Sequence, residues 1–330
     1  EATESDISVA LLTDHLNTTK SKLAKQIGKR GVMEVLGDMQ LLVGPPEQLC
    51  ISNAALMMFC EHLDKFFPYT QVEITKFPEG SIKNPNNFIE VPVIKGSVPT
   101  MIKRTMEKLQ DMVIEEKVTK VDYQMEAIRR YSYPYQALEE AVVNAFYHRD
   151  YQSYQAIIIE IEPDCVRIIS YPGIDRSISQ KTIAEGERFK SRYYRNKRLG
   201  EFLKELDLTE GKSTGIPTIQ EELRDNGSPK ATFETDDERR AVTVEIPIHP
   251  DFLMEQGEPQ NEPQNEPQNA TSVEDAILQL IRMNKYVTRE EMASQIEVSL
   301  STVKRSINKL KTSGIIEYEG PSKGGYWSIK

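Results

Sequence analysis

Glu140 and Asn144 stand four residues apart in the string YPYQALEEAVVNAFYHRDY, Tyr133 to Tyr151. On a helix this spacing puts both side chains on one face, one turn apart. A carboxylate there can polarise a water, and an amide oxygen beside it can ligate Mg²⁺. Such a pair suits nucleotide hydrolysis. Glu-x-x-x-Asn also occurs on ordinary solvated helices, so the surrounding residues have to decide between the two.

Three further segments carry groups that can meet a ligand. Tyr171-Pro172-Gly173 follows an apolar run. The tyrosine ring can stack on a purine, and the tripeptide also reads as a type I or II turn with Pro second. Ser213-Thr214-Gly215-Ile216 can bring backbone N–H groups to a phosphate at a helix N-terminus, or simply cap a helix over 216–224. Between them lies ERFKSRYYRNKR (187–198), with six basic residues against one acid. Arg192, Arg195 and Lys197 can neutralise phosphate oxygens. Arginines interleaved with aromatics can equally hold nucleic acid, and a solvated basic loop is the third reading.

Extended by Ala-Phe-Tyr-His-Arg-Asp-Tyr, the Glu140–Asn144 string closely resembles the N-box of the divergent GHKL-type ATPase module. GHKL is the gyrase, histidine-kinase and MutL superfamily, and the divergent form occurs in RecG-related helicases and transcriptional regulators. The resemblance implies a catalytic Glu140, a Mg²⁺-binding Asn144 and His148 beside the phosphates of ATP. It maps Tyr171 and Gly173 onto the Asp-x-Gly (or Asn-Pro-Gly) that holds the adenine amino group, where Tyr171 offers no carboxylate. It maps Ser213, Thr214 and Gly215 onto a turn that usually reads Gly-Thr-Gly-Ile, here with a Cβ added at the first position. It makes 187–198 the lid over the triphosphate, with Arg192, Arg195 and Asn196 in it. ATP and Mg²⁺ are the expected ligands. Two departures in three motifs leave hydrolysis, binding without turnover, and a vestigial site all open.

These residues need elements to hold them. The reading is helix over Gln136–His148, strand over Ala156–Glu162, hairpin, strand over Cys165–Ser170, a helix after Gly215 and a late strand over Arg240–Ile246. The order fits an α/β (α+β) sandwich with a mixed sheet. Upstream, 7–48 reads as helical, Gln71–Phe77 and Phe88–Ile94 as strands, and Val98–Glu116 as an amphipathic helix. That stretch resembles the connector behind an AlbA-like, Schlafen-type domain, of which only the tail is expected. The chain opens on Glu1 rather than Met, which fits a missing N-terminal portion.

Residues 258–269 are Glu-Pro-Gln-Asn three times over. Proline at every fourth position forbids a stable helix, so this is an extended, flexible linker. The expected domains are thus a connector over 1–128, the ATPase-like module over 129–252, the linker over 253–270 and a small domain over 271–330. In the last, Val273–Asn284 is amphipathic, and Thr288-Arg289-Glu290-Glu291 is a capping box. Ser299 caps a third helix whose apolar Leu300, Val303, Ile307 and Leu310 recur at three and four. Gly314 ends it, and IIEYEG and YWSIK follow as a wing around PSKGG. The pattern resembles a winged helix-turn-helix. Its third helix carries Lys304, Arg305, Lys309 and Lys311 and no acid, which suits the DNA major groove. Ser301, Thr302, Lys304, Arg305 and Lys309 are the expected groove face, with Lys323 on the wing at a phosphate. A protein-binding winged helix is the alternative. Trp327 and Tyr326 alternate in a strand, so one ring is expected in the core.

The net charge is −10 over 330 residues, which argues against a general nucleic-acid coat while allowing a local basic surface. No apolar run is long enough to span a membrane, and no signal-like segment opens the chain. Three cysteines without metal-ligand spacing fit free thiols in a reducing cytoplasm. Gly-x-x-x-x-Gly-Lys-Ser/Thr is absent, so no P-loop helicase motor is expected. Three functions compete: a double-stranded-DNA-binding transcriptional regulator with a nucleotide-binding module, a Mg²⁺-dependent ATPase in DNA metabolism, and a non-catalytic scaffold. A homodimer would place two winged helices on a palindromic site.

Overall fold

The computed structural model describes residues 2–120, 127–186, 194–209, 215–253, 273–296, 298, 300–312, 315–319 and 325–329. They fall into two compact units, Glu1–Pro259 and Gln260–Lys330.

The first unit runs α1 (Val9–Thr18), α2 (Val32–Asp38), β1 (Leu42–Val43), β2 (Cys50–Ile51), α3 (Asn53–Phe59), β3 (Val72–Lys76), β4 (Ile89–Glu90) and α4 (Val98–Val113). It continues with β5 (Glu116–Thr119), β6 (Ile128–Tyr131), α5 (Tyr135–His148), β7 (Ile157–Ile161), β8 (Cys165–Ser170), α6 (Gln180–Glu185) and α7 (Lys197–Glu205). It ends with α8 (Gly215–Asn226), β9 (Thr232–Thr235), β10 (Val242–Pro247) and α9 (Pro250–Leu253). Serines start the early helices: Ser8, Ser52 and Ser97 accept the N–H of Leu11, Ala55 and Thr100. α4 buries Met101, Ile102, Thr105, Met106 and Leu109, the three-and-four spacing of one helix face.

A six-stranded sheet in the order β4-β3-β7-β8-β10-β9 forms the centre. Every neighbouring pair is antiparallel except β3–β7, which is parallel from Val72↔Ile157 to Lys76↔Ile161. Strict alternation in β7 turns Ile157, Ile159 and Ile161 inward. Helix α5 packs across β8 and β10 and also against α4 and α8. One continuous apolar core extends from Ile7 to Phe252.

That core corrects the expected division at 128/129. β3 and β4, from the supposed connector, belong to the same sheet as β7–β10, so connector and module form one body. The stretch 7–48 is not uniformly helical. α1 ends where Lys20 turns to positive φ, α2 is short, and Leu42 already pairs with Ile51. Phe88–Ile94 keeps only Ile89–Glu90 as strand, because Pro92 has no N–H to continue the ladder; Ile94 then bridges Val72. The hairpin β5–β6, helices α6 and α7 and strand β9 were not expected.

The second unit has α10 (Val273–Met283), α11 (Arg289–Ile296), α12 (Leu300–Thr312) and the antiparallel pair β11 (Ile316–Glu319) and β12 (Tyr326–Ile329). The capping box is present: Glu291 Oε2 accepts from Thr288 N–H at 2.8 Å, and Thr288 Oγ1 accepts from Glu291 N–H at 3.2 Å. Ile277, Ile281, Met292, Val303, Ile307 and Trp327 make its own core. Trp327 is the buried ring of the wing, and its Nε1 donates to Val287 O at 3.0 Å. No described helix in either unit is long and apolar enough to cross a membrane.

Candidate nucleotide and DNA sites

Helix α5 buries Leu138, Val142 and Phe146 in the core and leaves Glu140 and Asn144 half-buried. Asn144 Nδ2 donates to Glu140 Oε1 at 3.0 Å. The first residue of α8, Gly215, lies directly on this pair. A Cβ there would come within 2.5 Å of both Asn144 Nδ2 and Glu140 Oε1. Only glycine lets the start of that helix approach so closely. The N-terminal N–H groups of a helix carry partial positive charge, so the pair sits beside a natural anion site.

A cavity of about 200 Å³ opens here. Asn144, His148, Gly173, Arg195 and Gly215, all expected at a nucleotide, line it together. Ile168, Phe233, Val242 and Val244 supply an apolar surface. Glu140 is reached through its bond to Asn144. His148 joins a stack with Tyr147 at 4.9 Å and Tyr194 at 6.0 Å between centroids. Its ring is crowded by these neighbours yet keeps an exposed edge. Crowding by its neighbours, and then the Arg195 charge, shifts the imidazole below its usual range. Arg195 also approaches Asp150, at 3.8 Å.

Two expected residues serve other ends. Tyr171 faces a separate shallow cleft with Asp150, Arg239 and Arg240, and its carbonyl accepts from Asp150 N–H at 2.9 Å. Ile168 and Ser170 line the cavity, and strand alternation turns the next side chain away. Asn196 donates through Nδ2 to Tyr147 O at 2.9 Å and Arg149 O at 2.7 Å, tying the start of α7 to the end of α5. It binds main chain rather than the cavity. Arg149 is likewise structural: it is buried, and its Nη2 donates to Tyr69 O at 3.0 Å. Arg192, Ser213 and Thr214 lie outside the described residues.

Sequence reasoning missed Asp175 and Ser170, which both line the cavity. Hydrogen bonds from Ser177, with Arg195 and Arg239 nearby, hold the Asp175 carboxyl below the usual carboxylate range. Neither residue belongs to a motif; the end of β8 places Ser170 there, and the course of the chain beyond it brings in Asp175. Among the described residues no group of three or more His, Cys, Asp or Glu is placed to hold a metal ion. A divalent ion at Asn144 would therefore share its shell with ligand oxygens and water, the usual manner of Mg²⁺. The glycine cradle, the amide and the arginine fit a Mg²⁺-bound phosphate chain.

In the second unit, Lys304, Arg305 and Lys309 are exposed on α12 while Val303, Ile307 and Leu310 are buried, so the helix presents a basic outer face. Thr302 is half-buried, and of Ser301 the backbone alone is described. Lys311 sits over the Trp327 ring at 5.9 Å. Lys323 lies outside the described residues.

Residues 155–245 match the family model described as putative ATP-dependent DNA helicase recG C-terminal, and residues 273–326 match the model of the HTH domain. The first match covers β7 to β10 and leaves α5, with Glu140 and Asn144, outside it. Among solved structures, the DIP2311 protein from Corynebacterium diphtheriae shares the fold with a TM-score of 0.56 at 16% identity. The comparison covers 100% of this chain and 62% of that one, so this chain spans under two thirds of its length. A search of curated proteins gave no match.

Proposed function

From a chain that joins a recG-C-terminal-like ATPase domain to an HTH domain, we propose a DNA-binding transcriptional regulator whose larger unit binds Mg²⁺-ATP and whose C-terminal unit holds double-stranded DNA. The observation that carries the nucleotide half is Gly215 seated on the Glu140–Asn144 pair at the cavity wall. The amide nitrogen of Asn144 is engaged by Glu140, which turns the amide oxygen towards use as a cation ligand. The α8 N-terminus and Arg195 offer donors and positive charge to phosphate oxygens. When bound, Mg²⁺-ATP supplies a phosphoanhydride whose charge the metal partly neutralises. Glu140, one turn from Asn144, is the group able to take a proton from an attacking water, and this supports hydrolysis as a second reading. The three free cysteines and the absence of a membrane-length helix among the described residues suit a cytoplasmic protein. A homodimer would offer two α12 helices to a palindromic site.

Calorimetric titration of Mg²⁺-ATP into the intact protein and into Asn144→Ala tests this. Saturable binding to the first, weakened at least about tenfold in the second, is expected. Equal affinity in both would remove Asn144 and this cavity from the reading. Glu140→Ala should keep binding and abolish any turnover.

A further inference from the structure

Tyr171 lines the neighbouring cleft and not the cavity, so the acceptor expected at that position is not supplied there. Asp175 is the only carboxylate among the described residues that line the cavity. We infer that Asp175, with the Ser170 hydroxyl, reads the Watson–Crick edge of adenine in place of the acceptor that Tyr171 cannot supply. This rests on the nucleotide reading above and goes on to assign base selection to residues outside any motif.

The loop that carries Asp175 is anchored. Arg239 donates through Nη1 to Ile174 O at 3.3 Å and through Nη2 to Ile178 O at 2.8 Å, so it grips both ends of 174–178. The Arg239 carbonyl accepts from Gly173 N–H at 2.9 Å. A Cβ on Gly173 would collide with Thr235 Oγ1 and come within 2.6 Å of Ala241 O, so the glycine lets β8 run hard against the β9–β10 turn. The Asp175 carboxylate is thereby presented from a fixed frame. The side chain is solvent-exposed; its Oδ1 accepts from Ser177 N–H at 2.9 Å, and the carboxylate accepts from the Ser177 hydroxyl as well. A carboxylate has about four acceptor sites, so capacity remains for a ligand N–H. Ser170 is 5% exposed and lines the same cavity, so its hydroxyl is available at the end of β8. Ile168, Phe233 and Val242 give a flat ring an apolar surface. Adenine presents an amino donor beside the N1 acceptor. A carboxylate accepts from the first, and a hydroxyl donates to the second. Hypoxanthine puts a carbonyl oxygen where adenine has the amine, and that oxygen would face the negative carboxylate.

The test compares Mg²⁺-ATP with Mg²⁺-ITP by calorimetry on the intact protein, Asp175→Asn and Asn144→Ala. Wild type should prefer ATP by at least about tenfold, as expected of a site that hydrogen-bonds its ligand. Asp175→Asn should bring the ratio towards one, because an amide can donate to the hypoxanthine carbonyl. Asn keeps an oxygen for the Ser177 N–H, and an unchanged unfolding midpoint verifies that the loop is intact. Asn144→Ala should weaken both nucleotides and leave their ratio in place. Equal binding of ATP and ITP by wild type, or an unchanged ratio in Asp175→Asn, overturns the assignment while leaving the nucleotide site standing. Binding of neither nucleotide by wild type overturns both.

Discussion

Gly215 shows how much one missing methyl group decides. The start of α8 meets the Glu140–Asn144 pair at a distance that a side chain would violate. Gly215→Ala should cost about 1–3 kcal/mol in denaturant unfolding, the range for overpacking, and weaken Mg²⁺-ATP at least about tenfold in calorimetry. Gly28→Ala is the comparison: no heavy atom lies within 4 Å of its added Cβ, so its stability should stay within about 0.5 kcal/mol of wild type. Equal effects of the two would mean that the close approach does not matter. At this scale the sequence was informative where chemistry is local. The four-residue spacing alone put Glu140 and Asn144 on one face. Tyr171 and Asn196 were misplaced because their roles depend on where β8 ends and on which carbonyls close the C-terminus of α5. Neither is written in the tripeptide or in the basic string. Asp175 was illegible because its place depends on Arg239, far along the chain.

Among the elements, α1, α3 and α7 meet around a buried histidine. His15 packs edge-on to Phe59 and Phe202, at 5.4 Å and 5.5 Å, and its Nε2 lies 3.3 Å from Glu205. Burial depresses the imidazole below its ordinary pKa, and Glu205 offsets this only in part. A group depressed in the fold takes its proton first in the unfolded chain. Its contribution is complete above the unfolded imidazole pKa and is lost as pH falls below it. Between pH 7.5 and 5.5 the urea midpoint of the wild type should therefore fall further than that of His15→Leu. Parallel declines would show that His15 is not the responsible group. α4, with its Ser97 cap and three-and-four apolar repeat, and α12, with its repeat, could be read from sequence because these signals are local. β5, β6 and β9 could not. The first two expose much of their surface, so they lack the alternation that betrays a buried strand, and β9 is defined by pairing with β10.

For the molecule as a whole, the two compact units, each with its own core, divide the labour that is proposed. A chain ending at Pro259 should keep Mg²⁺-ATP binding and lose DNA affinity. A fragment carrying 271–330 should retain DNA binding. Contacts to three to six phosphates would give a slope of about −3 to −5 in log affinity against log salt, measurable by fluorescence anisotropy. DNA affinity that persists in the chain ending at Pro259 would move the DNA site out of the HTH domain. If nucleotide and DNA are coupled, each must change the affinity of the other by the same factor.

The single parallel pair in the sheet also governs how the protein can be made. On one edge β3 pairs locally with β4 and Ile94, but on the other Val72 meets its parallel partner only at Ile157, with α4, a hairpin and α5 in between. Pairing so distant in sequence carries a loop-closure cost before any contact repays it. On the ribosome β3 must wait for β7 to emerge, and the sheet is complete only once Pro247 has followed. Until then the apolar faces of α4 and α5 have no sheet to cover. The C-terminal unit needs no such wait, because its helices and wing close over neighbours from the last stretch of chain. A nascent chain stalled before β7 would therefore leave an open strand edge in the crowded cell, while one that has passed β10 has its sheet closed before the HTH unit folds on its own.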